Sequence, residues 1–122
     1  MMNTKVEIDR IVEPAGLASA MKSGSLDVLA TPQMIAWMEE ASCLCLDLEA
    51  GNTSVGTKMD VEHVKASPLG ANIHIVAQVV KEEGRKVCFV VEAYQDGVLI
   101  GKGTHERFVV QADKFIKKTY GK

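Results

Sequence analysis

The chain has 122 residues, 47% of them hydrophobic and 25% charged, the size and balance of one globular domain with no room for a second core of ordinary size. A formal net charge of -2 and a pI near 5.9 provide no broad positive field for a nucleic-acid backbone or an anionic membrane. No apolar run approaches the roughly 20 residues of a membrane span, and the first residues lack the basic start and apolar run of a signal peptide. The expectation is a cytoplasmic protein whose residues 1–122 form a single domain.

Lys5 to Val12 alternates loosely and reads as an opening strand. Pro14 to Ser25 mixes Pro, Gly, Ser and Ala without a sustained period, which predicts a loop or a short irregular helix. At Thr31-Pro32 a hydroxyl residue suited to an N-cap precedes a proline suited to the first helical position. The breaker-free run from Pro32 to Leu48 then predicts a helix of about 25 Å, with Gly51 and Asn52 supplying its end. Gln33, Ala36, Glu40 and Asp47 share a narrow polar arc, whereas Met34, Trp37, Met38, Ala41, Leu44, Cys45 and Leu48 cover much of the remainder. Such a helix is expected to be buried around most of its circumference. Cys43, Cys45 and Cys88 form no CxxC pair and are expected as reduced, buried thiols.

Beyond the helix everything reads as strand: Ser54 to Ala66, Ala71 to Glu83, Arg85 to Gln95 and Val98 to Val110 are rich in Val and Ile. Turn chemistry separates them at Ser67-Pro68-Leu69-Gly70, at Gly84 and at Asp96-Gly97, so successive strands run antiparallel. The basic tail is expected to fray or to make a short surface helix. A long antiparallel sheet curled around one apolar helix buries both; the expected class is α+β, with the hotdog arrangement.

Three positions stand out chemically. Adjacent helix positions point about 100° apart, so Glu40 belongs to the polar arc while Glu39 projects from the flank of the apolar surface. Glu39 either snorkels at the helix edge or is a partly enclosed carboxylate suited to act as base or nucleophile. His63 falls on the apolar face of its strand with Val55, Thr57, Met59 and Val61, either as a core residue or as a proton-transfer group. Gly56, assigned by strict alternation to the opposite face, interrupts a β-branched run and marks a bulge, a close approach or simple packing. His74 shares a face with Asn72 and Gln78 and reads as solvated. His105 opens the run His105-Glu106-Arg107, where a structural ion pair and substrate contact are both open. The histidines have no metal-ligand spacing, and neither a metal nor a cofactor is expected.

The same residues carry a resemblance to the fluoroacetyl-CoA thioesterase family of hotdog proteins. VLATPQMIAWMEEA (Val28 to Ala41) resembles its threonine and glutamate separated by seven residues. SVGTKMDVEHVKASPLG (Ser54 to Gly70) resembles its glycine-threonine followed by a histidine, and GKGTHERFVV (Gly101 to Val110) its last-strand motif. The resemblance implies hydrolysis of a small acyl-CoA thioester, with Thr31, Glu39 and His63 as the reactive group. It also implies Gly56 as the backbone contact to the substrate carbonyl, Arg107 as a substrate-binding residue, and a homodimer with the site at its interface. Lys65, Arg85, Lys102 and Arg107 are candidate partners of the CoA phosphates. The likeness breaks before the helix, where the fluoroacetyl-specific enzyme has a longer, Phe-bearing lid and Ala15 to Leu29 here has no aromatic residue. A non-catalytic acyl-CoA binder and a hotdog hydratase or dehydratase are the alternative readings.

Overall fold

A computed structural model describes residues 4–121. Strand β1 (Lys5–Ile11) leads through a 3-10 turn (Pro14–Gly16) and a short helix α1 (Ala18–Met21) to the long helix α2 (Thr31–Leu44). Strands β2 (Asn52–His63), β3 (Asn72–Glu83), β4 (Lys86–Gln95) and β5 (Val98–Gln111) follow, and helix α3 (Ala112–Tyr120) closes the chain. The strands form one five-stranded sheet in the order β1-β3-β4-β5-β2, with every pairing antiparallel. The expected hotdog architecture is present.

Burial explains why α2 lies on this sheet. Met34, Met38, Ala41 and Cys45 recur at the spacing of one helix face and are fully buried against Ile73, Ile75, Ala77, Phe89, Val91 and Ile100. Burial covers one stripe of α2 rather than most of its circumference: Leu44 is 51% exposed and Trp37 only partly covered. The helix also ends at Leu44, short of the expected Leu48. Its last turn tightens into i→i+3 hydrogen bonds, Cys45 N–H to the Ser42 carbonyl and Leu46 N–H to the Cys43 carbonyl, 3.1 Å each. That exit delivers Cys45 and Leu46 to the core. All three thiols are free, but only Cys45 is buried; Cys43 is exposed and Cys88 intermediate. Cys43 lies off the buried stripe and Cys88 is only half-covered, so the expectation of three buried thiols fails at both.

Two features of the sheet matter for the site. The ladder between β2 and β5 shifts register between Gly56 and Lys58, a bulge with Thr57 as the extra residue. Within the described residues β2 pairs only with β5, so its outer edge is open.

Candidate active site

The bulge decides which side chains meet. Strict alternation puts Gly56 and His63 on opposite faces; the extra residue at Thr57 returns Gly56 to the face of Met59, Val61 and His63. Gly56 lies opposite Arg107 and Met59 opposite His105, so both β5 side chains point to the same inner face. Glu39, one turn beyond Ile35 on α2, stands over this spot. An added Cβ on Gly56 would come 2.9 Å from Glu39 Oε2 and 3.3 Å from both Arg107 Nη1 and His105 Cε1. Glycine is what lets the carboxylate approach the strand backbone.

Arg107 is 7% exposed and its guanidinium is held from several sides. Nε donates to Ser54 Oγ at 2.8 Å and Nη2 to the Ser54 carbonyl at 3.1 Å. Nη1 lies 3.2 Å from His105 Nε2 and 3.5 Å from Glu39 Oε2. His105, 1% exposed, has its Nδ1 2.7 Å from the Lys58 carbonyl. A carbonyl only accepts, so Nδ1 carries the hydrogen and Nε2 accepts from Arg107. Burial pushes the His105 pKa below its ordinary value, the Lys58 carbonyl opposes this, and the Arg107 charge adds to the lowering. A neutral imidazole stacked on Phe89, with centroids 5.8 Å apart, thus fixes the guanidinium that faces Glu39. Four contacts within the protein, to Ser54 twice, His105 and Glu39, hold Arg107, the expected substrate contact, beside the carboxylate.

Thr31 and His63 form a second group. Thr31 is the first residue of α2 and Ala30 its N-cap, with no side-chain capping bond, so Thr31 does not cap as expected. Its hydroxyl is instead 2.7 Å from His63 Nδ1, and both line a cavity of about 250 Å³ with Val28, Leu29 and Lys65. Burial lowers the His63 pKa, partly offset by the Lys65 backbone; Nε2 is buried without a hydrogen-bond partner among the described residues. Thr31 and Glu39 are eight positions apart on α2, about 12 Å of helix. The chain therefore holds two separate groups, Thr31 with His63 and Glu39 with Gly56, His105 and Arg107.

Glu40 points elsewhere and forms an ion pair with Arg10. His74 is a surface residue between Glu7 and Asp9, as its polar face implied. His105 is the residue that sequence reasoning left undecided; its position opposite Met59 depends on the bulge, and only Arg107, two residues on along the same strand, hinted at it. Among the described residues no cluster of His, Cys, Asp or Glu has the arrangement of a metal site.

An antiparallel sheet wrapped on one helix, with a carboxylate standing over a strand glycine, defines a hotdog protein of the thioesterase superfamily. A superfamily member from Thermus thermophilus superposes with a TM-score of 0.89 at 27% identity, over 98% of this chain and 90% of that one. The fluoroacetyl-CoA-specific thioesterase family matches residues 12–113, and this chain belongs to it. The fluoroacetyl-CoA thioesterase of Streptantibioticus cattleyicolor is 37% identical over 94 residues, 75% of this chain and 68% of that protein. The solved fluoroacetyl-CoA thioesterase FlK superposes with a TM-score of 0.93 at 30% identity, over 100% of this chain and 96% of that one. A variant of FlK, solved with fluoroacetate and CoA, is 31% identical with a TM-score of 0.85, over 94% of this chain and 98% of that one.

Proposed function

We propose that this protein hydrolyses small acyl-CoA thioesters in a site that two copies of the chain complete together. The observation that carries the proposal is the Glu39 carboxylate over Gly56, aimed by an Arg107 whose other donors are tied to Ser54 and His105. The acyl carbonyl lies against the Gly56 backbone, whose N–H stabilises the developing oxyanion, an interaction worth about 3 kcal/mol in comparable sites. Glu39 activates water or attacks directly, and a histidine moves the proton.

That histidine is the partner's His63. The open edge of β2 is a template for a second copy, and self-pairing about a two-fold axis is antiparallel and exchanges strand ends. Gly56 lies near the middle of β2 and His63 at its end, seven residues on, so antiparallel pairing centred between Met59 and Asp60 sets Gly56 opposite the partner's His63 and brings Glu39 toward the partner's Thr31. The unpartnered His63 Nε2 is then a group awaiting substrate or water. A cytoplasmic location belongs to the same proposal, because the substrate is an intracellular metabolite; cell fractionation checks it.

Glu39→Gln and His63→Ala are each expected to lower kcat for acetyl-CoA by about 10² to 10⁴, while Glu40→Gln, which touches only the Arg10 pair, retains activity. Mixing the two inactive variants then tests the shared site: mixed dimers regain activity if the residues come from different protomers. Equal loss in Glu39→Gln and Glu40→Gln sinks the carboxylate assignment, and no recovery on mixing sinks the shared site. Free CoA released from acetyl-CoA marks hydrolysis; an altered acyl group on an intact thioester marks a hydratase, and binding without turnover a sensor.

A further inference from the structure

At the end of the sheet nearest Glu39, the start of β2, the turn before β4 and the helix α3 enclose a groove of about 440 Å³. Arg85, Lys114 and Lys118 line it together with Phe115, and Asn52 and Gln111 add side-chain amides. Among the described residues no carboxylate lines it and none of the three cations makes an ion pair. The other grooves differ. Lys102 lies among Asp60, Glu62 and Glu92 on the outer face of the sheet, Arg10 is neutralised by Glu40, and the Thr31–His63 cavity has the single cation Lys65.

We infer that this groove binds the 3′-phosphorylated adenosine diphosphate end of CoA, an inference that rests on the thioesterase reading above. Three uncompensated cations match a ligand carrying three phosphate groups. Phe115, 40% exposed, offers a flat apolar face for the adenine ring, and the two amides offer polar partners to its edge. The position fits the rest of the substrate. Asn52 and Gly56 lie four residues apart on β2, about 13 Å at strand spacing, with Ser54, the anchor of Arg107, between them on the same face. An extended pantetheine arm spans a distance of this order, so a thioester at Gly56 leaves its nucleotide at the groove.

The test compares acetyl-CoA with S-acetylpantetheine, which lacks the nucleotide. Wild type prefers acetyl-CoA in kcat/KM, and in Lys114→Glu/Lys118→Glu that preference falls at least about tenfold, through KM, the scale of charge-assisted hydrogen bonds. In the same variant 3′-phospho-ADP loses its competitive inhibition. Arg85→Ser, on a different element, shows the same direction and separates ligand binding from unfolding of α3. An unchanged preference, or undiminished inhibition, overturns the inference. So does an unchanged preference joined to lost binding of anionic phospholipid vesicles, which makes the groove a membrane contact. If wild type cleaves neither thioester the thioesterase reading fails instead, and equilibrium binding of 3′-phospho-ADP to wild type and double variant then decides the groove.

Discussion

Replacing Gly56 with alanine separates catalysis from folding. Gly56 has no positive φ, so alanine meets no backbone strain and even gains slightly from a less flexible unfolded chain. Its new Cβ would stand 2.9 Å from Glu39 Oε2, closer than side-chain carbons approach other atoms, and 3.3 Å from Arg107 Nη1 and His105 Cε1. Arg107 is held by Ser54 and His105 by the Lys58 carbonyl, whereas the Glu39 side chain is 44% exposed and is the one that yields. A carboxylate displaced by about 1 Å is expected to cost about a hundredfold in kcat, with a stability change under about 1 kcal/mol. Acetyl-CoA turnover and calorimetric Tm measure the two effects on one preparation. The contrast is Gly103→Ala, whose Cβ would run into the Asp60 carbonyl and come 2.7 Å from Val61 Cα in the neighbouring strand; there the loss falls on Tm. Wild-type kcat in Gly56→Ala, or a Tm loss matching that of Gly103→Ala, refutes the reasoning.

Arg107→Lys keeps the charge but loses the fork that reaches Ser54, His105 and Glu39 together, so a loss of about 1–3 kcal/mol in stability should accompany a drop in kcat; retention of both in denaturation and kinetic assays counts against the aiming role. Burial depresses His63 and His105 below 6.5, so both contribute stability above that pH, and it is lost as pH falls through their lower folded values. His74 runs the other way: its hydrogen bonds to Glu7 and Asp9 raise its pKa, and its contribution fades as pH rises through that value. Being a surface pair it is screened by salt, so denaturant titrations at high salt isolate the acid limb, and a flat profile below 6.5 contradicts it. The segment Ala15 to Leu29 has no aromatic residue, and Trp37 faces a different groove with Arg10, Glu13 and Gln33, so among the described residues of the chain no Phe, Tyr or Trp lines the Thr31–His63 cavity. Packing against one small group discriminates by about 1–3 kcal/mol, and a kcat/KM preference for fluoroacetyl-CoA over acetyl-CoA above about a thousandfold would show this reasoning wrong.

Element types were legible in the sequence because burial and turn chemistry agree locally. Gly84 and Asp96-Gly97 adopt the positive φ that their tight turns require, and the Val/Ile runs between them became β3, β4 and β5 nearly residue for residue. What could not be read is what depends on partners distant in sequence. The end of α2 is set by Cys45 and Leu46 turning into a core built from later strands, and helical periodicity alone carries no trace of that demand. The bulge at Thr57 reflects a ladder with residues about fifty positions onward, so alternation misplaced Gly56 and left His105 undecided.

The spacing of Thr31 and Glu39 shows how a local pattern can single out residues and stay silent about geometry. Eight positions turn the two side chains about 80° apart around α2 and about 12 Å along it, too far for both to touch one acyl carbon. Read on a single chain, that distance argues against a common site; read with an open β2 edge that carries Gly56 and His63 seven residues apart, it accords with the proposed site shared between two chains. Activity should then follow the dimer rather than the fold. On dilution, kcat per chain is expected to fall along the dissociation curve measured by light scattering, while circular dichroism of the folded protomer changes little. A fully active monomer would return both half-sites to one chain and force a rearrangement of α2 that its buried stripe, Met34, Met38, Ala41 and Cys45, resists.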